Sequence, residues 1–375
     1  MSRRRGTEAD LLIVGGGPAG LATAIAARLG GLTATVLDRA RPPIDKPCGE
    51  GLMPAGVERL EALGVRLPEA AGRAFRGIRY RDGELVAEAE FPGSPGLGLR
   101  RTILHGALAR RAEEVGVDLR WETMVRGLAR GGVTTEEGVL RGRWLVGADG
   151  LSSRMRRWAG LDTDEPVGSR RRFGVRRHFR VEPWTDKVEV WWADGVEAYL
   201  TPVAAQEIGV AMLWSGQKSR FDRLLRRFPV LAERLAGAEV TSRDKGAGPL
   251  HRRPRRVWRD RLLLVGDAAG YVDAITGEGL DLAFHQSFAL VEAVRQDDPR
   301  RYARFCRRLV RLPFALIHLL LFAERRPALR RRLIRTLAEE PQLFERLLAI
   351  HTRARPPRSL GLGGVWRLAR GLARP

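Results

Sequence analysis

The sequence predicts an α/β fold: a parallel-sheet unit first, a second domain built on β-sheet, and a helical C-terminal region. Three observations carry the prediction. "ADLLIVGGGPAGLATAIAARLGGLTATVLDRA", from residue 9, reads strand, glycine turn, helix, strand. Residues 170 to 215 alternate as strands do, in "KVEVWW" and "EIGVAMLW". After Glu278 the chain reads as helix almost to its end.

Taken in order, Leu11 to Val14 is short and wholly apolar, as a buried parallel strand should be. The alanine-rich stretch from Ala19 to Leu29 favours helix and stops at Gly30-Gly31. A second strand, Thr33 to Leu37, ends at Asp38. Residues 73 to 99 read as short strands with turns such as Asp82-Gly83. Thr102 to Val115 has helical periodicity, "DLRWETMVRGLA" resumes strand character, and "GRWLVGADG" is another apolar strand ending in a loop. Trp184, Trp191, Trp192 and Trp214 fall in the later sheet, where they are candidates to line a pocket. "RLLLVGDAAG" returns to the strand-then-glycine pattern of the start.

The chain has 375 residues and a formal charge of +22, with only four lysines among 66 basic residues. Such charge attracts nucleic acid or anionic lipid. Arginine occurs on every part of the chain, which favours a general compositional bias instead. Zinc-finger spacing, a basic zipper and an RNP signature are all absent, so nucleic acid is not the expected partner. Two distant cysteines, Cys48 and Cys306, form no CxxC pattern; neither a disulfide framework nor a metal site is expected, and a reducing cytoplasm fits. No stretch approaches the roughly 18 apolar residues that cross a bilayer.

Gly15, Gly17 and Gly20 form G-x-G-x-x-G between a strand and a helix. The first allows the tight turn, the second lets backbone approach a pyrophosphate, and the third lets helix and strand pack closely. Pro18 and Ala19 open the helix, whose N-terminus offers free N–H groups to phosphate. Asp38, followed by Arg39, lies about twenty residues on, where an acid accepts ribose hydroxyls. This is a Rossmann-like dinucleotide site. A second fingerprint is absent, so a nicotinamide donor would have to visit a groove.

"LVGADGLSSRMR" resembles the G-A-D-G-x-x-S-x-x-R motif of flavoprotein hydroxylases, through Gly147, Asp149, Gly150, Ser153 and Arg156. "RLLLVGDAAGYVDAITGEGLDLAF" is similar to the G-D motif of the same superfamily, and "RRTILHGAL" to its R-x-x-L-x-x-x-L helix start, with Arg101 in the arginine position. In order and over residues 10 to about 290, these matches resemble the flavin monooxygenase and geranylgeranyl reductase superfamily. The resemblance implies a glutathione-reductase-type FAD fold. It implies a discontinuous FAD domain at 8–72, 100–165 and 255–298, a substrate-binding sheet at 73–99 and 166–254, and a basic helical region at 299–375. It implies FAD on Arg101, Asp149, Gly150, Gly266, Asp267, Gly277 and Gly279, with NAD(P)H as a transient reductant. Asp267 suits a ribityl hydroxyl, and the helix near Gly277–Gly279 would aim its positive end at the flavin edge that gains charge on reduction.

"DKPCGEGLMP", residues 45 to 54, is similar to the K-P-C-G-G-type motif of geranylgeranyl reductases and would run beside the flavin, with Cys48 and Gly49 near it. Cys48 is either a small apolar residue in a bend or a positioning or proton-donating group. Glu50 reads as a loop carboxylate paired with Lys46 or as an acid facing the substrate, and the pairing is the expectation. "EAYLTPV" keeps Tyr199 and Pro202 of the prenyl reductases' aromatic substrate motif but lacks its tryptophan and phenylalanine. Two reactions stay open. One is hydroxylation or epoxidation of a lipophilic, electron-rich small molecule through a flavin hydroperoxide; the other is C=C reduction of an isoprenoid or polyene. The broken motif tilts the reading toward the first. Cys48, Tyr199 and His178 are the candidate catalytic residues, although the histidines as a group read as structural.

"RRLVRLPFALIHLLLFAERRPALRRRLIRTL" brackets an apolar stretch, Phe314 to Ala323, with arginines. It reads equally as a core helix or as a peripheral contact with anionic membrane.

Overall fold

The structure, a computed structural model, describes residues 9–163 and 171–373. The expected domain boundary at 165/166 and the basic start of the chain lie outside the described residues. In chain order the elements that build the site are β1 (Ala9–Val14), α1 (Pro18–Leu29), β2 (Ala34–Leu37), β3 (Gly77–Asp82), β4 (Leu85–Glu90), α2 (Arg101–Glu114), β5 (Asp118–Arg120), β6 (Gly138–Gly147) and α3 (Arg154–Trp158). They continue as β7 (Arg172–Arg180), β8 (Lys187–Ala193), β9 (Val196–Ala204), β10 (Glu207–Ser215), β11 (Leu262–Leu264), α4 (Gly279–Arg295), α5 (Pro299–Glu324), α6 (Pro327–Glu339), α7 (Pro341–His351) and α8 (Gly361–Ala373).

Strands β11, β6, β1, β2 and β5 lie side by side in that order, all parallel. The runs of β1 and β11 are wholly apolar because both of their faces are covered, by α1, α2 and α4 on one side. The second sheet runs β7, β10, β9, β8, β3, β4 and is antiparallel except where β8 meets β3. Segment 77–90 thus joins strands that follow it by a hundred residues.

Alternation gives the second sheet two faces of different chemistry. Phe173, Val175 and Phe179 of β7, with Ala198, Leu200, Val210, Met212 and Trp214, close a rear core under the short helices of 221–235. The front face carries Arg172, Arg176, His178, Glu197, Tyr199 and Thr201, all buried. The tryptophans divide accordingly: Trp191 and Trp214 belong to the rear core, with Trp184 packed against it. Only Trp192 faces front. The expectation that all four line a pocket is therefore corrected, since strand period two sends neighbours to opposite faces.

The C-terminal helices close the front. Tyr302 of α5 donates to Leu264 O (2.6 Å), anchoring α5 on the parallel sheet. Ile317, Ile334, Leu337, Phe344 and Leu348 join the front core with Met53, Val190, Trp192 and Ile275. Among the described residues no helix is long and apolar enough to cross a membrane.

Candidate FAD and substrate site

The glycine turn shows why each position is glycine. A Cβ at Gly15 (φ +113°) would lie 2.4 Å from Ala148 O, and one at Gly20 only 1.9 Å from Gly15 O. Gly17 is different, for the nearest atom to a Cβ there is the Arg101 guanidinium at 3.9 Å. Its backbone is bare on the side where Arg101 stands. Pro18 begins α1, where a missing N–H costs nothing, and Ala19 packs against Gly266.

Asp38 fastens this turn: one carboxylate oxygen accepts from Gly16 N–H (2.7 Å), the other from Ala40 N–H (2.9 Å). Arg39 beside it is exposed. Two residues of the turn's surroundings were not legible in the sequence. The Trp121 ring lies against Gly16, where a Cβ would come within 2.4 Å of it. His105 receives Ile44 N–H on Nδ1 (3.3 Å), so Nε2–H donates to Gly16 O (2.7 Å). Burial holds this imidazole neutral by pulling its pKa down.

Arg101 opens α2 and is buried, and among the described residues its Nε has no partner. A buried donor left unsatisfied is costly, so the site asks for an anion. Asp267 sits in the short turn Gly266–Ala269 after β11. Burial raises its pKa, while Arg101, Lys46 and Arg156 pull it down.

Asp149 plays a mechanical part. Its carboxylate accepts from the N–H groups of Arg154 (2.7 Å) and Met155 (3.0 Å), capping α3 just after Gly150 (φ +78°). Fully buried Arg156 pairs with Asp162 and donates to Leu151 O and Ala268 O (each 3.1 Å). The motif therefore holds the Asp267 turn in place. Gly266 (φ +63°) donates its N–H to Gln286 Oε1 (2.8 Å). Gly277 (φ +70°) precedes α4, which starts at Gly279. Glu278 and Asp281 at this helix end both pair with Arg353, from the segment after α7.

The bare backbone at Gly17, the unsatisfied Arg101 Nε and the Asp267 carboxylate form a donor and acceptor set that fits FAD: a pyrophosphate cradle and an acid for ribityl hydroxyls.

The 45–54 loop is stapled to the front of the second sheet. Thr201 Oγ1 donates to Gly49 O (2.7 Å), and Arg176 bonds Asp45 and Lys46 O. Glu50 adopts φ +59°, which turns its side chain inward to complete burial. There it accepts from Arg101 N–H (2.8 Å), faces His178 Nε2, and lies 3.8 Å from Arg176. The expected pairing with Lys46 is thus corrected, because the left-handed turn points Glu50 at the sheet. His178 is fully buried, with Nδ1 at 2.8 Å from Ser242 Oγ. It fastens the loop to the sheet by holding Glu50 on one side and Ser242 on the other. Half-buried Cys48 accepts Glu50 N–H on Sγ (3.3 Å). Burial raises the pKa of its thiol, with Arg101 and Arg176 opposing.

Beside the loop lies a buried cluster of one cation and three acids. Arg172 Nε meets Asp273 (2.7 Å), Nη2 meets Glu197 (3.2 Å) and Nη1 stands 3.9 Å from Glu324 at the end of α5. Tyr199 Oη donates to Ile275 O (3.0 Å) and lies 3.2 Å from Glu197. Burial, with Asp273 and Glu324 nearby, pushes the Glu197 pKa up to about 7. Between its ordinary value of 4.5 and about 7, folded protein holds a proton that unfolded chain releases. Stability must fall as pH rises through that window. Glu197→Gln is expected to remove this slope. From about pH 5 to about pH 8 the wild type should lose on the order of 2–3 kcal/mol more than the variant in urea melts. Tyr271, which no sequence motif marks, is half-buried near Gly279, and its pKa is raised by burial and by Asp267, Asp273 and Cys48.

A parallel-sheet nucleotide fold with this cradle, joined to a second sheet whose polar front face meets it, defines a flavoprotein. The chain belongs to the FAD binding domain family, matched over residues 8–295, and is an FAD-dependent oxidoreductase. It is 28% identical to digeranylgeranylglycerophospholipid reductase 1 of Methanothermobacter thermautotrophicus, covering 73% of this chain and 74% of that one. It is likewise 28% identical to menaquinone reductase of Mycobacterium tuberculosis, covering 78% of each. Its fold matches a flavoprotein/dehydrogenase from Cytophaga hutchinsonii with a TM-score of 0.78 over 94% of both chains, at 17% identity. A flavin-dependent brominase matches with 0.73 over 93% of this chain and all of the other, at 19% identity.

Proposed function

We propose that this protein reduces C=C bonds of a lipophilic isoprenoid or polyene, with NAD(P)H as the reductant of its FAD. The observation that carries the reading is the seat of Cys48. Its loop is pinned at the seam of the two domains by Thr201, Arg176 and the Glu50–His178 pair. The similarity to reductases of prenylated lipids and menaquinone, over three quarters of the chain, supports it.

When bound, FAD supplies hydride chemistry. Saturating a double bond also needs a proton for the second carbon. Cys48 holds that proton at Sγ, because burial keeps its thiol protonated; Tyr271 Oη is a second store. Met53, Trp192, Leu213 and Ile275 supply an apolar wall that suits a hydrocarbon and excludes water. With one dinucleotide fingerprint, the nicotinamide binds and leaves by an open groove. A substrate of this kind resides in a bilayer, so the protein works from the cytoplasm in peripheral contact with anionic membrane.

Monooxygenation is the second reading, favoured by one observation: "EAYLTPV" lacks the aromatic pair of prenyl reductases, and its Tyr199 is engaged by Ile275 O. Product mass separates the two. With NAD(P)H and a polyprenyl lipid, product should gain two hydrogens per bond without oxygen present. Product formed only in air and carrying labelled oxygen would establish monooxygenation instead. Cys48→Ala is expected to slow saturation by on the order of 10²-fold while the flavin spectrum stays intact.

A further inference from the structure

Helix α8 is inverted relative to a core-facing helix. Its inward side is glycine: a Cβ at Gly371 would lie 2.2 Å from Thr336 Oγ1 of α6, and one at Gly364 would lie 2.7 Å from the Leu360 side chain. Backbone at Gly371 therefore packs against α6, and Arg332 donates to Leu372 O (3.4 Å) at the helix end. The bulky residues point outward. Leu362 is 90% exposed, Trp366 60% and Val365 53%, and exposed Ala369 and Ala373 continue the same stripe at helical spacing. By contrast, the apolar stretch of α5 is mostly used internally: Ile317 and Ala323 are buried, and Phe314, Leu320 and Leu321 pack on the front core. Only Leu319 and Phe322 are large and exposed there.

Charge says what covers the α8 stripe. Residues 299–375 contain nineteen arginines against four glutamates, with neither lysine nor aspartate, and so hold +15 of the chain's +22. Exposed Arg370 lies over the Trp366 ring at 5.2 Å, and Arg355 and Arg358 are exposed on the approach to the helix. A second copy of so basic a region would be repelled, whereas an anionic bilayer offers phosphates to the arginines and a headgroup–acyl boundary to the stripe.

We infer that α8 is the element that docks this protein on an anionic lipid bilayer, with Leu362, Val365 and Trp366 inserted at the interface and the surrounding arginines on lipid phosphates. The inference rests on the membrane reading above and gives it an address. It is tested with FAD-loaded protein sedimented with phosphatidylcholine vesicles, with and without phosphatidylglycerol. Wild type should bind only the anionic vesicles, and less as salt rises. The triple variant L362S/V365S/W366S should bind them at least about tenfold more weakly, with an unchanged flavin spectrum and Tm. Should the triple variant misfold, L362S alone, at the most exposed position, should still weaken binding. Equal binding by a folded variant would overturn the role of α8 while leaving membrane contact standing. No binding by wild type would overturn both. A lipid-free wild-type dimer that the triple variant turns into a monomer would make the stripe an interface between copies, and would also overturn the proposal.

Discussion

Arg172→Met is expected to destabilise this protein by about 3–5 kcal/mol, seen as a Tm roughly 5 °C lower. Among the described residues Arg172 is the one cation paired with Asp273, Glu197 and Glu324, all buried, and its Nη1 makes no hydrogen bond. Those acids come from a front strand, the loop before α4 and the end of α5, so one guanidinium ties the second sheet to that loop and to the C-terminal helices. Removing it leaves buried charge without compensation, which costs more than the pair itself contributes. The double variant with Glu197→Gln should regain part of the loss. A neutral effect of Arg172→Met on Tm would show that the cluster is solvated.

Arg101→Met should weaken FAD binding by on the order of 10- to 10²-fold with little change in the Tm of the flavin-free protein. The guanidinium borders Gly17, its Nε lacks a partner, and burial lowers its pKa, so it is held in place for an anion. Gly20→Ala should be more severe. A Cβ 1.9 Å from a backbone oxygen cannot be relieved by rotating a side chain, so the turn itself must open and the purified protein should be colourless. Flavin absorbance after desalting, and the rise in Tm on adding FAD, measure both. Retention of bound FAD by both variants would move the pyrophosphate elsewhere.

The parallel-sheet unit was legible because its signals are local: an apolar run, a glycine turn and an acid, all within thirty residues. The second sheet was legible as strands but not as faces. "RFGVRRHFR" places Arg172, Arg176 and His178 on one side of a strand, and that side is the buried front. What buries them comes from far away: Asp273 for Arg172, Asp45 for Arg176 and Glu50 for His178. Local patterning carries no record of such pairings. Glu50 was misread for a related reason, since its direction depends on a positive φ that a non-glycine residue rarely adopts. Helix α8 was legible as helix but not as faces: its glycines at 364 and 371 fall on one side and Leu362, Val365 and Trp366 on the other, and only packing against α6 turns the glycines inward.

The central claim, that this FAD enzyme transfers hydride to a carbon–carbon double bond, is met most directly by a single anaerobic turnover. Protein is reduced without oxygen, mixed with a polyprenyl lipid, and followed by flavin absorbance. Oxidised flavin should return at a rate set by lipid concentration, with one double bond lost per flavin. Flavin that stays reduced until air is admitted would contradict it.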